Sequence, residues 1–280
     1  MIGTLLANRY QLDAELGQGG MGTVYRARDQ LLDRDVAVKV LNDVGLGTVG
    51  RNHLLTEARA AARLNHPNIV AIYDAGEAAW TDSGAAAGTT AFIVMELVAG
   101  RTLYQAWPLP LPDVLDVAQQ ICAALEHAHT HDIIHRDLKL ENVLLASAGA
   151  QAAGEASPLR VKLTDFGLAR SIASRLTQEG RLIGTVFYLA PEIALGQPAD
   201  GRADLYSLGV LLYELTTGKL PFLADDPLAV ISQHLHAPVV PPRAHVPDLP
   251  AGLDALIVQL LAKRPEDRPA SAGAVRAALL

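Results

Sequence analysis

Apolar and polar residues alternate with a period of two through much of the first hundred positions, and with a helical period after that. Residues 10–17, 23–28 and 36–41 are short runs rich in Val, Tyr and Leu, separated by turns that contain Gly or Asp, and they are predicted strands. Residues 51–64 are the one helical stretch of this half. Leu54, Ala58, Ala61 and Ala62 recur at helical spacing, and His66-Pro67 ends the run because the residue before a proline is driven out of the α region. Two more strands are predicted over 69–75 and 92–97. The stretch between them, 77–90, is rich in Ala, Gly, Ser and Thr and reads as a loop.

After Gly100 the pattern turns helical. Pro112 and Asp113 open a long predicted helix that runs to about Thr130, since proline suits a first helical turn. Residues 204–217, 228–236, 253–262 and 270–279 are further predicted helices. Residues 147–158 are a low-complexity surface loop. A strand-rich half followed by a helix-rich half predicts two lobes with a cleft near residues 96–101.

Composition narrows the field. Of 280 residues, 50% are apolar and 19% charged, enough for a large core and too apolar for a disordered chain. Lys and Arg total 23 against 30 Asp and Glu, a net charge of −7, which is not the footprint of a nucleic-acid or polybasic membrane binder. The single cysteine, Cys122, excludes an intramolecular disulfide and a multi-cysteine zinc cage, fits a reducing cytosol, and reads as an apolar filler. No apolar run reaches the ~18 residues a membrane span needs, and the first ten residues lack a signal peptide's pattern. A cytoplasmic protein is expected.

Several segments carry chemistry. Gly17, Gly19 and Gly22 fit a GxGxxG spacing, which by itself suits a dinucleotide fold or a plain glycine-rich hairpin as well. The residues that follow, from Thr23, read as a strand rather than a helix. A strand–glycine loop–strand can lie over phosphates. Lys39 alternates with apolar neighbours on a strand, and Glu57 shares the inner stripe of the helix with Leu54 and Ala61, so each is the other's expected partner. In His135-Arg136-Asp137-Leu138-Lys139-Leu140-Glu141-Asn142, Asp137 can accept a hydroxyl proton and Asn142 can ligate a divalent ion. Asp165-Phe166-Gly167 ends a strand with a carboxylate able to hold magnesium. Ala190-Pro191-Glu192 follows.

Together, in this order, these motifs resemble the eukaryotic-like protein kinases, and most of all the bacterial serine/threonine kinases. The resemblance runs over residues 10–279. It implies an α+β, bilobal fold: an N-lobe (1–98) with a five-stranded antiparallel sheet and one main helix, and a mostly helical C-lobe (99–280). It implies a Leu16-Gly17-Gln18-Gly19 to Gly22 loop over the ATP phosphates, and Lys39 on the α- and β-phosphates, paired with Glu57. Adenine would sit among Val24, Ala37 and Leu144, with Met95 as gatekeeper and backbone hydrogen bonds from Glu96 and Val98. Asp137 would be the base, Lys139 would neutralise the γ-phosphate, and Asn142 and Asp165 would hold Mg2+, with Mn2+ as the alternative. Asp204 would brace the catalytic loop and Glu192 would pair with Arg268. Lys139 and Thr185 favour serine/threonine over tyrosine acceptors. Partners implied are protein substrates and a second copy of the chain for trans-autophosphorylation, in a longer protein with sensor or effector domains.

Departures from the family pattern are few. Leu140 replaces a proline, with little effect expected. Ala61 is small for its inner position, which leaves the active arrangement short of packing and dependent on a partner or on phosphorylation. Arg136 can pair with a phosphate on the activation segment, where Ser171, Ser174 and above all Thr177 are candidates and Glu179 offers a permanent charge. Two other readings are an ATP-binding scaffold without catalysis and a small-molecule kinase of similar fold. The full transfer set and the segment from Asp165 to Glu192 weigh against both. A P-loop nucleotidase fails, for there is no GxxxxGK[ST]. His127 and His131 lie one turn apart, but no acidic or cysteine ligand completes a zinc site.

Overall fold

The period-two half of the sequence becomes one twisted sheet. The computed structural model describes residues 1–19, 22–41, 47–80, 88–146, 159–166 and 185–280. They form two compact units, Met1–Asn65 with Val70–Val98, and His66–Ile69 with Ala99–Leu280. The first unit holds β1 (Leu5–Leu6), β2 (Tyr10–Gly19), β3 (Gly22–Asp29), β4 (Arg34–Leu41), β5 (Ile72–Trp80) and β6 (Gly88–Met95). They pair antiparallel in the order β1-β2-β3-β4-β6-β5. The two-residue edge strand β1 makes six strands where five are expected. Its helix, α1, spans Gly47–Ala61.

Alternation sorts the two faces of this sheet. Tyr10, Leu12, Tyr25, Ala27, Val36, Val38, Val40, Phe92 and Val94 build one buried cluster. Val24 registers with Lys39 and Lys39 with Ile93, while Ala37 registers with Met95, so these five residues share the other face. Leu54, Leu55, Ala58 and Ala61 of α1 are buried.

The loop expected over 77–90 is corrected. Glu77 pairs with Ala91, Ala78 with Thr90, Ala79 with Thr89 and Trp80 with Gly88, so β5 and β6 extend well into it. Residues 81–87 lie outside the described residues. Small residues suggested a turn, but the ladder set by β6 overrides local preference, and the Thr90 hydroxyl adds a hydrogen bond to the Leu41 carbonyl at 3.0 Å. The strand expected from residue 69 starts at Ile72, because Ile69 is spent on a parallel bridge to Leu163 within the second unit.

The second unit opens with β7 (Gly100–Thr102), which pairs antiparallel with β8 (Val143–Ala146), as β8 does with β9 (Arg160–Leu163). Short α2 (Leu103–Ala106) starts in a capping box between Thr102 and Gln105. Helix α3 spans Leu111–His129 with Pro112 in its first turn. Then come α4 (Pro191–Ala194), α5 (Arg202–Thr217), α6 (Pro227–His236), α7 (Ala251–Leu260) and α8 (Ala272–Ala278). Every residue of α5 from Ala203 to Tyr213 is buried, which marks it as the helix the unit is built around, and it ends on left-handed Gly218. Among the described residues no helix is long and apolar enough to cross a membrane.

Helices α5 and α7 meet at Gly209, where an added Cβ would lie 2.7 Å from the Leu260 Cβ. Gly209→Val is expected to cost about 1–3 kcal/mol in urea unfolding. Gly252→Ala, with nothing within 4 Å of the added Cβ, should change stability by no more than about 1 kcal/mol, in the stabilising direction.

Candidate active site

The glycine hairpin is the end of the β2–β3 ladder. Gln18 registers with Thr23 and Gly19 with Gly22. Gly22 has φ near 155°, and a Cβ there would collide with the Val40 carbonyl, so this position takes glycine. Leu16, Gly17, Gln18 and Gly19 are exposed, an edge of backbone with little side chain over it. Gly20 and Met21 lie outside the described residues. On the sheet face next to this edge, Val24 is half-buried and Ala37, Lys39 and Met95 are buried. Glu57 is half-buried on α1, one turn from Leu54 and Ala61. At the end of β6 the Glu96 N–H donates to the Ala71 carbonyl at 2.8 Å, and a Glu96 carboxylate oxygen accepts the Ala71 N–H at 3.3 Å. What Glu96 offers a ligand from its backbone is therefore its carbonyl. Val98, two residues on, is half-buried.

In the second unit the loop after α3 is organised by one carboxylate. Asp204 sits in the first turn of α5, fully buried. Its Oδ2 accepts the His135 N–H at 2.9 Å and contacts His129 Nε2 at 2.8 Å, and its Oδ1 accepts the Arg136 N–H at 2.8 Å. Burial opposes the charge, but the His129 hydrogen bond, the fields of His129 and His135 and the Arg136 amide outweigh it, so the Asp204 carboxyl titrates below the usual carboxylate range. Arg136 takes a left-handed φ of 67°, which turns the chain toward Asp137.

The buried His135 ring continues the chain of contacts. Its Nδ1 accepts the Asp137 N–H at 3.3 Å, so its Nε2 donates to the Thr164 carbonyl at 2.9 Å. Phe166 packs on this ring at 4.5 Å. Lys139 Nζ donates to both Asp137 oxygens, at 3.2 and 2.9 Å, and Asn142 Nδ2 donates to the Asp137 carbonyl at 2.7 Å and to its Oδ2 at 3.0 Å. Leu140, in the place of the usual proline, is buried, and the turn still closes with Asn142 N–H on the Lys139 carbonyl at 3.0 Å. Leu144 follows on β8, half-buried.

The end of β9 is tied to the same loop, for Thr164 N–H donates to the Asn142 carbonyl at 3.0 Å. Asp165 follows in a left-handed conformation, φ 64°. With its amide nitrogen directed at Asp137, Asn142 turns its side-chain oxygen, which has lone pairs and no hydrogen, to the task of coordinating a cation. That oxygen and the Asp165 carboxylate are hard ligands of the kind magnesium takes.

The Glu192–Arg268 pair is bidentate, at 2.7 and 2.8 Å, and both side chains are buried. The remaining guanidinium donors reach the carbonyls of Ala262, Arg202 and Lys263 at 2.9–3.0 Å, so all five are used. Tyr188 donates to Glu214, whose carboxyl is pushed up by burial despite that bond, and the Ser207 hydroxyl donates to the Tyr188 carbonyl at 2.8 Å. Thr185 opens the short turn Thr185–Tyr188. Ser171, Ser174, Thr177, Glu179, Gly167 and the loop at 147–158 lie outside the described residues. Cys122 is buried in α3 and its thiol is pushed up to about 12 by that burial, so it is an inert filler. His129 is the contact that sequence reasoning missed. Nothing in the sequence ties it to a carboxylate 75 positions away.

A family model described as the protein kinase domain matches residues 10–279. The chain belongs to the protein kinase family, and its domain is of the type found in the bacterial serine/threonine kinases. It is 42% identical to serine/threonine-protein kinase PknB of Mycobacterium leprae over 98% of this chain and 43% of that protein. It is 40% identical to serine/threonine-protein kinase pkn3 of Myxococcus xanthus over 99% of this chain and 50% of that protein. The chain thus spans half or less of the length of these curated relatives. The crystal structure of the Mycobacterium tuberculosis PknI kinase domain superposes with a TM-score of 0.75 at 30% identity, covering 100% of this chain and 97% of that one.

Replacing Asp204 by Ala removes the acceptor for two buried amides and the partner of His129. Unfolding free energy at pH 7 should fall by about 3–5 kcal/mol. Because the folded Asp204 carboxyl titrates below the unfolded one, its contribution is present above the ordinary carboxylate range and is lost as pH falls through the folded value. The stability gap between wild type and Asp204→Ala in urea titrations should therefore close as pH drops.

Proposed function

We propose that this chain is the catalytic part of a serine/threonine protein kinase that acts in the cytoplasm, with residues 1–98 and 99–280 as its two lobes. It moves the γ-phosphoryl group of Mg-ATP to protein serine and threonine hydroxyls. The observation that carries this reading is the setting of Asp137. Its carboxylate is held by Lys139 and Asn142 at hydrogen-bond distance, in a loop whose amides are fastened to a buried carboxylate. Protein kinases as a family use ATP and magnesium.

Bound Mg-ATP supplies the phosphoryl group and spreads its negative charge over the metal. The chain's own residues do the rest. The glycine-rich segment 17–22 covers the phosphates, and Lys39, paired with Glu57, holds the α- and β-phosphate oxygens. Asn142 and Asp165 hold the metal through their oxygens. Asp137 orients the acceptor hydroxyl and takes its proton as the oxygen bonds to the γ-phosphorus and the bond from that phosphorus to the bridging oxygen breaks, releasing ADP. Lys139 balances charge on the transferred group. Positioning and charge neutralisation supply most of the acceleration. Lys139 and Thr185 select serine and threonine acceptors. Thr177 on the activation segment is the autophosphorylation target, its phosphate paired with Arg136, and a second copy of the chain delivers it.

Purified chain incubated with Mg-ATP should gain phosphate by intact mass and pass it to a generic acceptor such as myelin basic protein. Asp137→Asn should lower the rate by about 10²–10⁴. No transfer to either acceptor, by a chain that still binds ATP in thermal shift, would sink the kinase reading. Peptide mapping that finds Thr177 bare in the active enzyme would remove that residue's role alone.

A further inference from the structure

Three histidines that the proposed chemistry does not use form a column in the second unit. The His66 and His127 rings stack at 5.2 Å and 27°, and the His127 and His131 rings meet at 4.5 Å. His66 Nδ1 accepts the Asn68 N–H at 3.1 Å. Asn68 in turn donates to Gln120 on α3 and to the Val161 carbonyl on β9, both at 2.9 Å. His131 Nδ1 lies 2.8 Å from the His127 carbonyl, across the end of α3. His127 Nε2 is buried with no hydrogen-bond partner among the described residues.

We propose that the His66–His127–His131 column is a proton-sensitive clasp: with its rings neutral it holds the 66–69 segment against the end of α3, and acid loosens it. Neutral imidazoles stack, but imidazoliums on half-buried His66 and His127, 5.2 Å apart, repel with little solvent between them, and a charge on exposed His131, 4.5 Å from His127, adds a weaker, solvent-screened repulsion. The charges facing the column add to this. Lys162 comes from β9 and Arg276 from α8, and both oppose a charge on His66, as does His127. Glu126 lies on α3 with its carboxylate against Gly273 of α8, and Asp204 of α5 is taken by His129.

The sign follows from the folded state. Burial first, and then His127, Arg276 and Lys162, hold the His66 ring below its usual range. The unfolded chain therefore takes up a proton that the folded clasp resists, and stability is lost as pH falls through the ordinary histidine range. Helix α3 leads directly into the loop that carries Asp137, so a loosened clasp frays the ground on which that loop stands.

The test compares thermal unfolding of wild type, His127→Phe and His131→Gln at pH 7.5 and 5.5. Phenylalanine keeps the stacking surface and cannot charge. Wild type should lose about 2–4 °C more than His127→Phe on acidification, with His131→Gln between them. Equal losses in all three would overturn the clasp. A second readout needs no variant. In wild type the amides of Ile69, Leu163 and Ile133, which donate to His66, Asn68 and Ala128, should exchange about tenfold faster at pH 5.5 relative to α5 amides, after correction for intrinsic rates. An unchanged ratio would contradict the proposal as directly.

Discussion

The second unit depends on a carboxylate buried where burial alone would forbid it. Asp204 stands in the first turn of a helix buried from Ala203 to Tyr213, and an unpaired charge there would cost several kcal/mol. The loop cancels that cost by giving up two backbone amides, and α3 contributes His129. The amides have no better acceptor, and the carboxylate has no better donors. Each makes the other's position affordable, and the loop bearing Asp137 is thereby fixed to a helix buried from Ala203 to Tyr213.

From that point the order is passed along by hydrogen bonds. Asp204 sets the backbone at His135 and Arg136; the His135 ring joins Asp137 to Thr164; Thr164 joins β9 to Asn142; Asn142 returns to Asp137. Asp137 sits on one connected polar network, and Thr164, the residue before Asp165, belongs to it too; such networks hold geometry well only when their members are satisfied. The Glu192–Arg268 pair follows the same rule at the other side of α5. Five guanidinium donors meet five acceptors, so a fully buried charge is tolerated and the segment carrying Glu192 is anchored.

Much of this was legible in the sequence because the family's motifs pack their chemistry into short, ordered runs. Helices after Gly100 follow their apolar periodicity, with predicted and observed ends within two residues for α5, α6, α7 and α8. Asp204 and Arg268 were assigned by resemblance, and both make the contacts that resemblance implies. What local pattern could not supply is pairing between distant segments. Ala78, Thr89 and Thr90 look like loop residues until β5 and β6 are laid side by side. Ile69 looks like the start of a strand until Leu163 claims it. The pairing of β7 with β8 joins segments more than forty residues apart, and the role of His129 depends on a partner on another helix.

The loop bearing Asp137 is fastened to α5 through Asp204. Native-state hydrogen exchange of the His135 and Arg136 amides tests it most directly. If Asp204 accepts both, these two amides should exchange only when the unit unfolds as a whole, at the same free energy as amides in the middle of α5. Exchange at the rate of an open loop, with α5 still protected, would contradict the account.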